Sequence, residues 1–169
     1  MALLEAQAQS LGLPLTLVEL PEPCPNKAYE KAVLLELSKQ QNNGLTQVVF
    51  GDLFLEDIRQ YRENFISSTG LSLSFPLWGE NTGNLAKEFL QLGFKAVVCA
   101  VNPAVLSNRF LGRAYDESFL QELSPSIDPA GENGEFHTFV VDGPLFKRPL
   151  KIKTGAIHMT PGCHWIQLD

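Results

Sequence analysis

Apolar residues recur along this chain in short blocks separated by Gly, Pro and Asn, and the period changes from block to block. Ala2 to Leu11 reads as a helix that stops at Gly12, with Pro14 beyond it. Leu15–Leu20 reads as a short strand, and Pro21, Pro23 and Pro25 as a stiff loop. From Asn26, placed to act as a cap, helical spacing of Ala28, Ala32, Leu35 and Lys39 predicts a helix to about Gln41, closed by Asn42-Asn43-Gly44. Thr46–Phe50 is a β-rich buried strand, Leu53–Ser68 a helix with one charged face, and Leu71–Phe75 a strand. Thr82–Leu92 is a helix closed by Gly93, Phe94–Val101 a strand, and Glu117–Leu123 a short helix. Phe136–Val141 and Leu150–Ile157 read as strands and antiparallel neighbours. Strand–helix alternation of this kind predicts an α/β fold whose parallel sheet is covered on both faces. The polar link Gly79–Gly83 divides it into an α/β part, residues 1–80, and a C-terminal part, residues 81–169.

Composition narrows the function. With 169 residues and 44% apolar content the chain can bury a sizeable core. A net charge of −6 argues against general nucleic-acid binding. The one basic cluster, Lys147, Arg148, Lys151 and Lys153, reads as edge-strand lysines that block aggregation. Cys24, Cys99 and Cys163 are scattered and odd in number, which suits a reducing, cytoplasmic compartment. Cys99 lies in an apolar run and reads as a buried small hydrophobe. Cys163-His164 with His158 fits no standard zinc spacing. No stretch approaches the ~20 apolar residues of a membrane span.

The chemistry concentrates in Gly131–Phe146. Gly131 and Gly134 bracket Glu132 and Asn133, and a strand follows from Glu135. Alternation would put Glu135 and His137 on one face and Phe136 and Thr138 on the other. Glu132, Glu135 and His137 would then share a rim suited to an ammonium group, a magnesium-bound phosphate or a proton transfer. A second candidate edge is Gly51-Asp52, directly after the strand Thr46–Phe50. Ligands of parallel sheets sit at such carboxyl ends. Asp52 can equally cap a helix starting at Leu53.

Gly131-Glu132-Asn133-Gly134-Glu135-Phe136-His137-Thr138 resembles the signature Gly-Glu-Gly-Gly-Glu-Tyr-Glu-Thr of the diphthine–ammonia ligase family, a branch of the PP-loop ATP pyrophosphatases. Phe50-Gly51-Asp52 with Asp57-Ile58-Arg59 and Tyr61-Arg62-Glu63, Phe75-Pro76-Leu77-Trp78, and Leu111-Gly112-Arg113 with Asp116 resemble three further family segments. The resemblance implies a Rossmann-like (adenine nucleotide alpha hydrolase-like, HUP) parallel sheet with a small α+β C-terminal part. It implies ATP, magnesium and ammonium, and a carboxylate that is adenylated with release of pyrophosphate and then amidated. Glu132, Glu135 and His137 are the implied catalytic residues. Gly51, Asp52, Trp78, Gly112, Arg113, Gly131, Asn133, Gly134 and Thr138 are the implied nucleotide- or substrate-binding ones. No metal ligand, nucleic-acid partner or membrane partner follows, and a homo-oligomer is left open.

Two departures qualify that expectation. The family's phosphate-cradling Ser-Gly-Gly-Lys-Asp-Ser loop is absent from these residues, so the sheet is expected to be N-terminally incomplete and the chain a truncated form. Asn133 and His137 stand where the family has Gly and Glu. The family's name implies a modified histidine on a translation factor as acceptor, and these two changes leave room for another carboxylate. The competing expectations are a remnant that cannot bind ATP and a scaffold that binds a partner through its acidic surface.

Overall fold

The computed structural model describes residues 2–169. In chain order the helices are α1 (Ala2–Leu11), α2 (Asn26–Asn42), α3 (Glu56–Ser67), α4 (Thr82–Gln91) and α5 (Glu117–Glu122). The strands are β1 (Gln47–Val49), β2 (Ser72–Ser74), β3 (Lys95–Val101), β4 (Ala114–Tyr115), β5 (Phe136–Asp142), β6 (Thr154–Thr160) and β7 (Cys163–Leu168). They form two compact units: Thr16–Glu80, and Asn81–Asp169 joined by the segment that ends at Leu15. The helix α1 therefore packs with the C-terminal unit, tied by Gln7 Nε2 donating to the Val140 carbonyl at 2.8 Å and by Ser10 Oγ donating to that of Arg148.

The Thr16–Glu80 unit is a β–α–β arrangement. β1 and β2 pair in parallel, Gln47 with Ser72, Val48 with Leu73 and Val49 with Ser74, and α3 makes the connection. Glu56 and Asp57 in the first turn of α3 complement its helix dipole. This helix begins at Glu56 with Leu55 at its cap, so Asp52 does not cap a helix starting at Leu53. Likewise Pro25, not Asn26, precedes α2, and no side chain caps it. Leu15–Leu20 is not a strand. It runs without secondary structure, and Leu15, Leu17, Val18 and Leu20 are exposed. An apolar block becomes a strand only when it finds a sheet edge to pair with, and this one pairs with none.

The parallel sheet thus has two strands. Phe94–Val101 does not join it. As β3 it forms the centre of an antiparallel sheet with β4, β5 and β7, and β6 pairs with β7 at the edge. The expected pairing of Phe136–Val141 with Leu150–Ile157 is also replaced: β5 pairs with β3, and β6, starting at Thr154, pairs with β7. The strand β7 follows a turn at Pro161-Gly162, where Gly162 takes φ +83°. Lys147, Arg148, Lys151 and Lys153 lie in the irregular stretch before β6 and are not edge-strand residues. A core of Val98, Val101, Phe110, Phe119, Tyr115 and Phe136, with α4 residues Ala86 and Phe89, covers one face of the sheet. Phe119 is fully buried among Phe110, Tyr115 and Phe136, at ring separations of 5.2 to 5.4 Å.

Candidate functional site

The stretch Asp128–Glu135 is a loop built around two carboxylates. Asp-Pro opens it, a pair that favours turn initiation. Two backbone turns follow, Gly131 N–H to the Asp128 carbonyl at 2.9 Å and Gly134 N–H to the Gly131 carbonyl at 3.0 Å. Gly131 (φ +72°) is required twice over, since a Cβ there would lie 2.7 Å from the Phe136 carbonyl oxygen. The Asp128 carboxylate accepts the N–H groups of Ala130 (2.9 Å) and Glu132 (3.3 Å) on one oxygen and the Thr82 hydroxyl (2.7 Å) on the other. The Glu135 carboxylate accepts the Asp128 N–H (2.9 Å) and the Asn133 side-chain amide (3.1 Å) on Oε1, and the Asn133 N–H (3.0 Å) on Oε2.

These bonds decide what each residue can do. Glu135 is buried, and its carboxylate is turned into the loop. Burial pushes its pKa up, but the hydrogen bonds from the Asp128 N–H, Asn133 and its own backbone outweigh this and hold it below the usual glutamate value. His137 lies one residue inside β5, opposite Ala100, and is exposed. Glu135 therefore does not share an open face with His137, because the chain enters the strand only at Phe136. Glu132 is half-buried on the loop, three residues before Glu135, and Asn133, Gly134 and Thr138 are exposed. Neither Asp128 nor Glu135 meets a Lys or Arg among the described residues. The loop therefore presents a negative field suited to a cation. Tyr115 donates its hydroxyl to the Pro129 carbonyl at 2.7 Å, and burial, with the Asp128 charge, pushes its pKa up to about 12.

Asp128 and Thr82 were not legible as site residues. An Asp-Pro dipeptide favours a turn, but only the folded chain brings Thr82, the first residue of α4, to it. Gly112 (φ +78°) packs against Ile166 and Thr154. Arg113 does not pair with Asp116. Its fork reaches Glu122 Oε1 at 2.9 Å and Ser118 Oγ at 3.2 Å, while Asp116 caps α5 by accepting the Phe119 N–H.

Gly51, Asp52 and Trp78 lie in the Thr16–Glu80 unit, past the carboxyl ends of β1 and β2. Here Phe50 stacks on Phe75 at 5.6 Å and Trp78 meets Phe75 edge-on at 6.1 Å. Asp52 lies 3.5 Å from Arg62 Nε, an ion pair in which both atoms are buried without a hydrogen-bond partner. Cys99 is half-buried at a bulge in β3, where burial pushes its thiol pKa up. Among the described residues no three His, Cys, Asp or Glu side chains are grouped to hold a metal ion.

The loop and sheet belong to a recognised class of domain: residues 81–167 match the family model described as diphthamide synthase C-terminal domain. The chain belongs to the diphthine–ammonia ligase family. It is 30% identical over 131 residues to the diphthine–ammonia ligase of Mus musculus, covering 75% of this chain and 49% of that protein. It is 28% identical over 130 residues to that of Homo sapiens, with 73% and 48% covered. Against that of Schizosaccharomyces pombe it is 34% identical over 91 residues, 51% of this chain and 15% of that protein. The chain thus spans about half the length of the mammalian relatives it matches. No helix among the described residues is long and apolar enough to cross a membrane.

Proposed function

We propose that this chain carries the ammonium- and acceptor-handling part of an ATP-dependent, AMP-forming carboxylate–ammonia ligase. The observation that supports this reading is the Asp128–Glu135 loop. Two of its carboxylates are spent on holding backbone N–H groups around Glu132, with His137 just beyond, and among the described residues neither Asp128 nor Glu135 has a basic partner. In the reaction, a carboxylate oxygen attacks the α-phosphorus of ATP and pyrophosphate leaves. Ammonia then attacks the acyl carbon, AMP leaves, and the proton of the former ammonium goes to a base. Glu132 holds the ammonium, His137 takes the proton, and Glu135 fixes the loop on which Glu132 sits. Gly131, Asn133, Gly134 and Thr138 shape this rim, and Gly112 and Arg113 support the sheet beside α5.

The β1–α3–β2 unit is read as part of a Rossmann-like nucleotide domain, with Gly51, Asp52 and Trp78 at its carboxyl edge, facing ATP. A metal ion does not fit these residues on their own: among the described residues no three potential ligands are grouped, and the Asp128 and Glu135 oxygens already accept hydrogen bonds. A cytoplasmic setting agrees with three unpaired cysteines.

The second reading, a non-catalytic remnant, is favoured by one observation, the absence of Ser-Gly-Gly-Lys-Asp-Ser from these residues. A titration with ammonium chloride against sodium chloride at matched ionic strength separates the two, followed by NMR at the Glu132 amide and the His137 ring. A saturable, ammonium-specific shift that disappears in Glu132→Gln is expected. Identical responses to both salts would reject the ligase reading of this rim in favour of the remnant.

A further inference from the structure

Arg59 and Arg62 lie three residues apart on α3 and over the aromatic side chains at the ends of β1 and β2. The Arg62 guanidinium is 4.6 Å from the Phe50 ring centre, and that of Arg59 is 5.1 Å from Phe75 and 4.7 Å from Trp78. Each is engaged on its Nε side by a carboxylate, Arg59 by Glu63 at 2.9 Å and Arg62 by Asp52 at 3.5 Å. The Nη groups of both have no acceptor among the described residues. The Asp52–Arg62 contact is too long for a hydrogen bond, so a buried Oδ2 and a buried Nε are left unsatisfied. Buried polar atoms without partners are exceptions that mark strain, missing water or a missing ligand. Two planar forks, stacked on rings and held by one edge, present their other edges ready for an oxyanion. The position adds weight, since ligands of parallel sheets bind beyond the carboxyl ends of the strands.

We propose that Arg59 and Arg62 form an oxyanion-binding pair on an aromatic shelf of Phe50, Phe75 and Trp78. They take a phosphate or carboxylate group between their Nη edges. Asp52 and Glu63 cancel the formal charge of the pair, so recognition rests on directed hydrogen bonds and exclusion of water rather than on net charge. This inference rests on the ligase reading only for the origin of the oxyanion, because the binding itself needs neither ammonium nor turnover.

Trp78 lies against Arg59 and reports on the pair. The chain has two tryptophans, so Trp165→Phe leaves Trp78 as the only one. Its fluorescence is titrated with sodium pyrophosphate in one arm and sodium succinate in the other, at constant ionic strength. A saturable change with at least one of them is expected, and the arm that saturates at lower concentration names the source. Arg59→Gln and Arg62→Lys should weaken binding by about tenfold or more while leaving the melting transition in place. Should Arg62→Lys fail to fold, Arg59→Gln alone decides. The proposal is overturned if the parent saturates with neither anion, or if the folded variants bind as the parent does. An anion response in a chain that shows no ammonium-specific shift counts against the ligase reading alone. An ammonium-specific shift with no anion response counts against the arginine pair alone.

Discussion

Glu135 shows how one side chain can be decisive without being exposed. Its two oxygens receive three N–H donors, and none of these has another partner in the loop. Glu135→Ala removes the acceptor of all three and should lower unfolding free energy by about 2 kcal/mol, measured by denaturant titration. Glu135→Gln should lose most of the same amount despite its equal size. An amide can offer an oxygen to only one side, so its NH2 must face a donor. A Gln variant as stable as the parent would show that the carboxylate is not the loop's organising group. Acid should act the same way. The folded pKa is depressed, so the stabilisation is present above the ordinary glutamate value and is lost as pH falls through the folded value. The two motif glycines are predicted to differ. Both have positive φ, but a Cβ at Gly134 meets open space while one at Gly131 meets the Phe136 carbonyl at 2.7 Å. Gly134→Ala should cost about 1 kcal/mol, and Gly131→Ala clearly more, in the same titration.

At the scale of elements, the sequence was readable where a block carried its own boundaries. The helix α1 stops before Gly12 and α4 before Gly93, both glycines with positive φ, and both ends could be read because a glycine stop is local. Pairing is not local, and there the reading failed. Phe94–Val101 has the apolar run of a buried parallel strand, yet Ala96 and Val97 pair with β4 and Ala100 and Val101 with β7 in antiparallel register. Nothing in an eight-residue run states the direction of its neighbours. The signature loop was legible as a motif, but Thr82 and Asp128, which tie it to α4, are 46 residues apart. Tyr115 gives this packing a measurable signature. It ends β4, bonds the loop at Pro129 and titrates at about 12 instead of 10. A raised folded pKa means the stabilisation is complete below pH 10 and is lost as pH rises from about 10 to about 12, by about 2–3 kcal/mol in all. Thermal melts across that range should show the loss, and Tyr115→Phe should abolish this alkaline step while lowering stability at neutral pH.

At the scale of the whole molecule, the two units differ sharply in how much each buries. Of the buried apolar residues, Leu53, Ile66 and Leu71 belong to Thr16–Glu80, and all the others to the unit built on β3. The helix α2 has no buried residue, and Val49 on β1 is 58% exposed. A two-stranded sheet of three-residue strands is below the size that is independently stable in water. The antiparallel unit, by contrast, closes the rings of Phe89, Phe110 and Phe136 around Phe119 and Tyr115 under a continuous sheet. Opening free energies in one chain range from near zero to the global value, and the low end belongs to regions with few buried apolar contacts. Backbone amides of α2, β1 and β2 should therefore exchange with deuterium at least about a hundredfold faster than those of β3 and β5, a gap of about 2.7 kcal/mol in opening free energy. An oxyanion held by Arg59 and Arg62 should narrow that gap by RT ln(1 + [L]/Kd), by slowing exchange in α3 and at the ends of β1 and β2. Hydrogen-exchange mass spectrometry with and without pyrophosphate measures both effects. Equal protection of the two units in the free chain would show that the sparse burial of Thr16–Glu80 does not set its stability.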